Sequence, residues 1–207
     1  RLVKYLCQNG EFPFKKREKV LFLKGTITDD IYMLLNDFLK KLEIYTIKDV
    51  NILFYEEDGP ININEIFQTI SDDFGLPLFI HEALTINKLV PGSLIIDYLN
   101  YVNQSKILNK EYSNLSDIVF GDNKPEMYNF LCDIKKYLID PVLNKNNNRE
   151  ILDTFFKNDL NVLKTSKELY LNRNSLTNRL EIISRDIGLN VQSFKPASIV
   201  LILMNLR

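Results

Sequence analysis

The segment from Thr165 to Gly188 carries a run of side chains whose types suit the edges of base pairs. Asparagine can form two hydrogen bonds with adenine, arginine binds guanine or a phosphate, and serine or threonine bonds with either. These types recur over a short stretch, which indicates a surface that reads double-stranded DNA. The residues that we expect to contact DNA are Arg173, Asn174, Ser175, Thr177, Asn178, Arg179 and Arg185.

Different contacts are expected within this set. Arg173 and Arg179 are assigned to phosphates or bases, Thr177 and Asn178 to base edges, and Arg185 to the DNA backbone. Arg179 lies on the flank of the predicted exposed face, and that position also permits an internal ion pair. The pattern predicts no catalytic residue and no metal ligand in this segment.

Two short helices joined by a tight polar turn must position these side chains. Leu169 and Leu171 close the first helix, and Asn174 or Ser175 is expected to cap the second by accepting a backbone N–H. Gly188 is expected to end the second helix in a left-handed conformation. One stripe at helical spacing is expected to face inward: Leu176, Leu180, Ile183 and Ile187. This arrangement is that of a helix-turn-helix, which places its second helix in the major groove.

The same segment resembles the C-terminal helix-turn-helix of the PucR/CdaR family of bacterial transcriptional regulators. That family's pattern is approximately T-A-x-x-L-x-V-H-R-N-T-L-x-Y-R-L-x-x-I, continuing to a glycine. The chain keeps Thr165, Leu169, Arg173, Asn174, Leu176, Arg179, Leu180, Ile183 and Gly188, with conservative changes at Ser166, Leu171 and Ser175. Asn172 stands in place of the family's histidine and Asn178 in place of its tyrosine, which bears on the DNA sequence read more than on the fold.

Flanking segments extend the resemblance over about the last third of the chain. Ile151 to Phe156 is similar to the family's preceding helix, and Ile199 to Leu206 is similar to its apolar closing helix. The resemblance implies a bacterial, cytoplasmic transcriptional regulator that is not an enzyme and holds no cofactor. It also implies an upstream domain that dimerises or responds to an unknown small-molecule effector. A degenerate nucleotide-cyclase domain of the GGDEF-like type is one candidate for that region.

The remainder of the chain predicts an α+β protein, with a small mixed α/β domain ahead of an all-α helix-turn-helix domain. Strands are expected at Lys19 to Lys24, Val50 to Tyr55 and Leu76 to Ile80, with helices between them and a weaker strand at Tyr112 to Val119. A helix is expected to run from Thr28 with Ile31, Leu34, Leu35, Phe38 and Leu42 on one side, and a long helix from Met127 to Leu143 is expected to break near Pro141. The polar run from Asn144 to Arg149 reads as a linker, which gives domains 1–143 and 144–207.

Composition limits the classes of protein that fit. The 207 residues carry a formal net charge of −1, so the whole chain is not a general nucleic-acid binder. From Lys145 onward there are ten basic and six acidic residues, so this part is mildly cationic. No signal peptide or membrane span is expected, and Cys7 and Cys132 are expected to be free thiols. Because the chain begins with Arg1, we expect a piece that lacks N-terminal residues.

Few residues support the alternative of an enzyme. Asp72 to Gly75 superficially resembles a metal-binding acidic turn, but a capped helix end is the simpler interpretation. His81 is the only histidine and is expected to make a local hydrogen bond, while Glu56-Glu57-Asp58 reads as a solvated turn. The sequence contains neither a Gly-Gly-Asp/Glu-Glu-Phe run nor a glycine-rich phosphate loop. A second alternative is an interaction module that no longer binds DNA, for which Asn172 and Glu181 are the warning signs.

Overall fold

Five strands in the first part of the chain form one mixed sheet. The computed structural model describes residues 1–56, 61–121 and 125–206, so Glu57 and Asp58 of the predicted acidic turn lie outside the described residues. The strands are β1 (Glu18–Lys24), β2 (Lys40–Ile47), β3 (Val50–Glu56), β4 (Phe79–Ile86) and β5 (Tyr112–Asn114). Their order across the sheet is β2-β3-β1-β4-β5, with β5 parallel to β4 and the other pairs antiparallel.

Helices alternate with these strands along the chain. They are α1 (Leu2–Cys7), α2 (Asp29–Phe38), α3 (Ile63–Phe74), α4 (Gly92–Gln104) and α5 (Leu115–Val119), with a 3₁₀ turn at Ile107–Asn109. The succession β1-α2-β2-β3-α3-β4 with β1 between β3 and β4 is that of a ferredoxin-like, split βαβ unit. The predicted α+β class is therefore confirmed.

Both faces of the sheet are covered, which explains the unbroken apolar run in β1. Leu21 and Leu23 pack in one core with residues of α2 and α3, such as Ile31 and Phe67. On the other face the ring of Phe22 meets Tyr98 of α4 edge-on, with centroids 5.5 Å apart. A strand buried on both sides loses the alternation of polar and apolar residues that marks a half-exposed strand.

Strand β2 was not expected from the sequence. The predicted apolar stripe of the preceding helix extended to Leu42, but α2 ends at Phe38 and Leu42 lies in β2. The chain reverses between Ile47 and Val50, which pair in register and leave only two residues for the turn. This hairpin pairs the β-branched and aromatic residues that follow Leu42 with β3, so tertiary pairing overrides the helical spacing.

Two other strand predictions were displaced. Strand β4 begins at Phe79 and runs on to Ile86, whereas the sequence indicated Leu76 to Ile80. The second half was missed because His81 and Glu82 are polar and end the apolar run. The predicted strand Tyr112 to Val119 is a strand only as far as Asn114. There the Asn114 side chain caps α5 while Asp117 accepts the Asn114 amide at 2.9 Å, and this capping box starts a helix.

The C-terminal unit is helical in its described part. It contains α6 (Pro125–Ile134), a π-helical turn at Lys135–Ile139, α7 (Asp140–Leu143), α8 (Asn148–Lys157), α9 (Val162–Glu168), α10 (Arg173–Ile187) and α11 (Phe194–Asn205). The π turn ends two residues before Pro141, whose missing N–H and ring disfavour regular α geometry in the preceding turn. The predicted break near Pro141 is thus a widened turn within one helical segment.

The chain divides into two compact units, Arg1–Asp122 and Asn123–Arg207. The helical segment Pro125–Leu143 falls in the second unit, where Nζ of Lys135 donates to the carbonyl oxygen of Leu206 at 2.6 Å. The predicted functional domains, 1–143 and 144–207, differ from these units and stay a prediction. Within the described ranges, every helix is too short or too polar to cross a membrane.

Candidate nucleic-acid interface

Helix α9 is the first helix of the predicted helix-turn-helix. Oδ1 of Asn161 caps it by accepting the amide of Lys164 at 3.0 Å. Thr165 and Ser166 are buried, and their hydroxyl groups donate to the carbonyl oxygens of Asn161 and Leu163 at 2.9 and 3.0 Å. Because both buried hydroxyls are satisfied, polar residues are tolerated where the helix packs.

The far end of α9 is tied to α8 by charged and polar groups. Nζ of Lys157 lies 2.8 Å from Oε1 of Glu168, and Nδ2 of Asn158 donates to Oε2 of the same carboxylate at 2.7 Å. The pair with Lys157 lowers the pKa of Glu168. Because these contacts are exposed to solvent, they link α8 to α9 but add little stability.

The turn between α9 and α10 contains an exposed aromatic residue in a strained conformation. Tyr170 has a φ of 54° and its surface is 96 % exposed. The amide of Leu171 bonds to the carbonyl oxygen of Ser166 at 2.8 Å, which closes the end of α9 as in a Schellman motif. A glycine usually occupies the left-handed position of such a motif, because a bulky residue there costs energy.

Helix α10 begins one residue after its cap. Oδ1 of Asn172 accepts the amide of Asn174 at 2.8 Å, so Asn172 is the N-cap. The prediction that Asn174 or Ser175 caps the helix is therefore wrong, because the helix already begins at Arg173. Asn172 has extended backbone angles and a side-chain acceptor of the right length, which are the two requirements for an N-cap.

The inward stripe of α10 is confirmed. Leu176, Leu180 and Ile183 have no solvent-exposed surface, and Ile187 is buried as well. Gly188 ends the helix with a φ of 84°, and its amide bonds to the carbonyl oxygen of Ser184 at 2.8 Å. The stripe fixes which face of α10 points to solvent.

That outer face carries most of the side chains predicted to contact DNA. Its exposed members are Arg173, Asn174, Ser175, Asn178 and Arg185. Thr177 is half-buried and its hydroxyl donates to the carbonyl oxygen of Arg173 at 3.1 Å, while Nε of Arg185 lies 3.8 Å from the Asp186 carboxylate. Glu181 is exposed on the same helix.

Arg179 is placed differently from the other predicted contacts. It is half-buried, and its Nε donates to Oδ1 of Asn148 at 2.9 Å. Its Nη2 donates to the carbonyl oxygen of Asn146 at 3.0 Å. Where the flank position permitted an internal ion pair, Arg179 instead makes internal hydrogen bonds to two asparagines.

Sequence reasoning missed Asn148, Tyr170 and Asn172 as residues that shape this surface. Asn148 is hidden in a polar run that reads as a linker, and only its burial in the folded chain distinguishes it from its neighbours. Asn172 was noted only as a departure from the family pattern. The available signal was its residue type, since asparagine is among the preferred N-cap residues and Asn172 directly precedes the first residue of α10.

A buried polar cluster surrounds His81 in the first unit. Its Nδ1 lies 2.8 Å from Oγ of Ser113 and its Nε2 lies 2.8 Å from the hydroxyl of Tyr98. The Ser113 hydroxyl donates to the carbonyl oxygen of Ile80 at 3.3 Å, so its oxygen accepts from Nδ1–H and Nε2 accepts from Tyr98. Burial lowers the pKa of His81 to about 3, so the ring is neutral.

The His81 cluster has the spacing of a nucleophile and a base, but not their exposure. His81, Ser113 and Tyr98 are each 0 % exposed, so a substrate cannot reach them in this conformation. Phe74 and Gly75 form a helix end, with Gly75 at a φ of 61°, as the sequence indicated. Among the described residues, no group of three or more histidines, cysteines or acids could hold a metal ion.

Comparison with known proteins agrees with the helix-turn-helix geometry. Residues 149–204 match the family model of the PucR C-terminal helix-turn-helix domain. No curated protein matches the chain. Among solved structures, the regulator of polyketide synthase expression from Bifidobacterium adolescentis is similar, with 11 % identity and a TM-score of 0.44 over 99 % of this chain and 90 % of that chain. A likeness this distant carries no conclusion about function.

Proposed function

Because the C-terminal part of the chain is a helix-turn-helix domain of the PucR type, we propose that the protein is a bacterial, cytoplasmic transcriptional regulator that binds double-stranded DNA. The observation that carries this proposal is the outer face of α10. That face is exposed and polar, while the opposite stripe is buried.

The proposed contacts follow from the side chains on that face. Arg173, at the first turn of α10, suits a phosphate or a guanine, since the positive end of the helix dipole also favours phosphate there. Asn178 suits the two edge groups of adenine, and Thr177 and Ser175 suit bases or phosphates. Arg185 suits the DNA backbone at the far end of the helix. Asn174 completes the exposed first turn.

A homodimer is part of the proposal for energetic reasons. One recognition helix makes few base contacts. When a second copy binds the same face of the duplex, the overall affinity rises although each copy makes the same contacts as before. The upstream unit, with its five-stranded sheet, is proposed to supply dimerisation, response to a small-molecule effector, or both. The sequence contains no Gly-Gly-Asp/Glu-Glu-Phe run, and a non-enzymatic role for this unit is part of the proposal.

Selection of duplexes from a random-sequence library by the full-length chain tests this function. Enrichment of a site with two half-sites about 10 base pairs apart supports a dimeric regulator. The logarithm of the affinity should fall linearly with the logarithm of the salt concentration, by about 0.9 for each phosphate contacted.

A pair of variants gives that experiment its control. Arg173→Ala with Asn178→Ala should weaken binding, whereas Lys88→Ala, an exposed residue of the other unit, should leave it unchanged. A folded wild-type chain that enriches no sequence and binds no duplex at low ionic strength would contradict the proposal. That result would favour the alternative of an interaction module, for which the exposed carboxylate of Glu181 on the same face is the motivating observation.

A further inference from the structure

Two side chains, those of Arg179 and Asn148, are tied to the turn 144–147 beside the recognition helix. Arg179 of α10 donates to Oδ1 of Asn148 and to the carbonyl oxygen of Asn146. Asn148 is 4 % exposed, and its Nδ2 donates to the carbonyl oxygen of Val142 at 2.8 Å. We call Arg179, Asn148 and Asn146 the asparagine clamp. It joins the end of α7, the turn 144–147 and α10.

We propose that Arg179 is a positioning residue rather than a DNA contact. Through Asn148 and Asn146 it fixes α10 against the turn 144–147 and so sets the orientation in which the outer face meets the major groove. This role rests on the proposed DNA-binding function. It replaces the direct contact that the sequence indicated for Arg179.

The geometry of the guanidinium group favours this role. A guanidinium is a planar fork of five N–H donors, and here Nε and Nη2 are both aligned on acceptors within the protein. To reach a phosphate with these atoms, Arg179 would have to break both bonds. It would then leave the buried Oδ1 of Asn148 without its donor, which is more costly than losing an exposed hydrogen bond.

The turn 144–147 contains two residues in an unfavourable backbone conformation. Asn146 and Asn147 both have left-handed backbones, with φ values of 47° and 59°. Asparagine tolerates this conformation better than most residues, but two in succession are still unfavourable. The bonds from Arg179 to Asn146 and from Asn148 to Val142 therefore add to the backbone bonds of the turn, such as that from the Asn148 amide to the carbonyl oxygen of Lys145 at 2.9 Å.

A fixed orientation matters because the proposed interface is small. Base contacts require the helix to lie in the groove at a defined depth and angle, and phosphate contacts fix that register. If the clamp is broken, α10 and the turn must be ordered again when DNA binds. That ordering lowers the affinity even though every contact with DNA is still formed in the complex.

Salt dependence separates a positioning residue from a contact. Arg179→Ala and Asn148→Ala in the full chain are each expected to weaken binding to the selected duplex roughly tenfold, the size of one good polar contact, at an unchanged salt slope. Arg173→Ala is the matched comparison, since the slope should fall by about 1 where Arg173 contacts a phosphate. Lys88→Ala removes one positive charge elsewhere and should change neither quantity.

Two further comparisons make the inference falsifiable. Because Arg179 and Asn148 share one hydrogen bond, the double variant should be no weaker than the weaker single variant. Arg179→Lys keeps the charge but loses the fork, so it should bind as weakly as Arg179→Ala. All affinities are measured well below the unfolding temperature, where a purely structural role would leave the affinity of the folded chain unchanged.

Several results would overturn the positioning role. These are a slope reduced by about 1 in Arg179→Ala, full affinity in Arg179→Lys, additive effects in the double variant, or unchanged affinity in Asn148→Ala. Hydrogen exchange on the free chain tests the clamp without DNA: Arg179→Ala should accelerate exchange in the turn 144–147, and unchanged exchange overturns the inference even where the wild type binds duplexes. Failure of the wild type itself to bind any duplex overturns the proposed function instead.

Discussion

Acidification should destabilise the first unit through His81, the only histidine of the chain. Burial lowers the pKa of His81 to about 3 in the folded state, from 6.5 for an ordinary histidine. As the pH falls through 6.5, His81 therefore becomes protonated in the unfolded chain but stays neutral in the folded chain. Stability from this group is complete above that pH and is lost progressively as the pH falls from 6.5 toward 3.

The size of the effect follows from the two pKa values. A difference of one unit corresponds to about 1.4 kcal/mol, so the unfolding free energy should fall by about 2 kcal/mol between pH 8 and pH 5 from His81 alone. Glu18 acts in the opposite direction, since burial and the neighbouring Glu56 raise its pKa to about 7. A comparison with a variant is therefore needed to isolate His81.

His81→Gln is the suitable variant, because a glutamine amide can still donate and accept but does not titrate. The difference in unfolding free energy between wild type and His81→Gln should shift by about 2 kcal/mol against the wild type between pH 8 and pH 5. Hydrogen exchange in β4 reports the unfolding of this unit by itself. The single imidazole signal in the NMR spectrum gives the pKa directly, and a midpoint near 6.5 would refute the reasoning.

Two further changes test the helix-turn-helix itself. Leu180→Ala removes a side chain with no exposed surface and should cost about 2–5 kcal/mol in thermal or denaturant unfolding, whereas Leu180→Met should cost less than about 1.5. Unfolding unchanged by Leu180→Ala would contradict the inward stripe. Tyr170→Gly relieves the left-handed strain at a φ of 54° and loses almost no packing, so it should raise the unfolding free energy by roughly 1 kcal/mol. A lower melting temperature for that variant would show that the tyrosine ring has a stabilising contact.

The helix-turn-helix was predictable because its signals are local. The inward stripe of Leu176, Leu180 and Ile183 and the terminal Gly188 depend only on spacing along one helix, and the structure has all of them. The cap was missed because Asn172, Asn174 and Ser175 are all good N-cap residues. Spacing alone does not say at which of these three neighbouring residues the helix is capped.

The features that were missed depend on contacts between distant parts of the chain. Strand β2 forms because a two-residue turn lets it pair with β3. The sequence of β2 itself has no alternation strong enough to distinguish it from the helical apolar stripe that precedes it. Asn148 became a buried clamp residue because Arg179 reaches it from another helix. Without knowledge of that partner, a run of asparagines predicts a solvated linker. In the structure Asn148 of this run is buried.

The weak charge of the outer face explains why orientation should matter more here than attraction. Arg173 and Arg185 are its exposed cations, and Glu181 on the same helix carries the opposite charge. Long-range attraction to phosphate is therefore modest, and affinity must come from short-range contacts that form only when the helix is correctly aligned. For the proposed binding of DNA, a residue that holds the alignment then affects the affinity without touching a base. On this ground Arg179, bound to Asn148 inside the protein, is expected to matter for DNA binding without reaching the DNA.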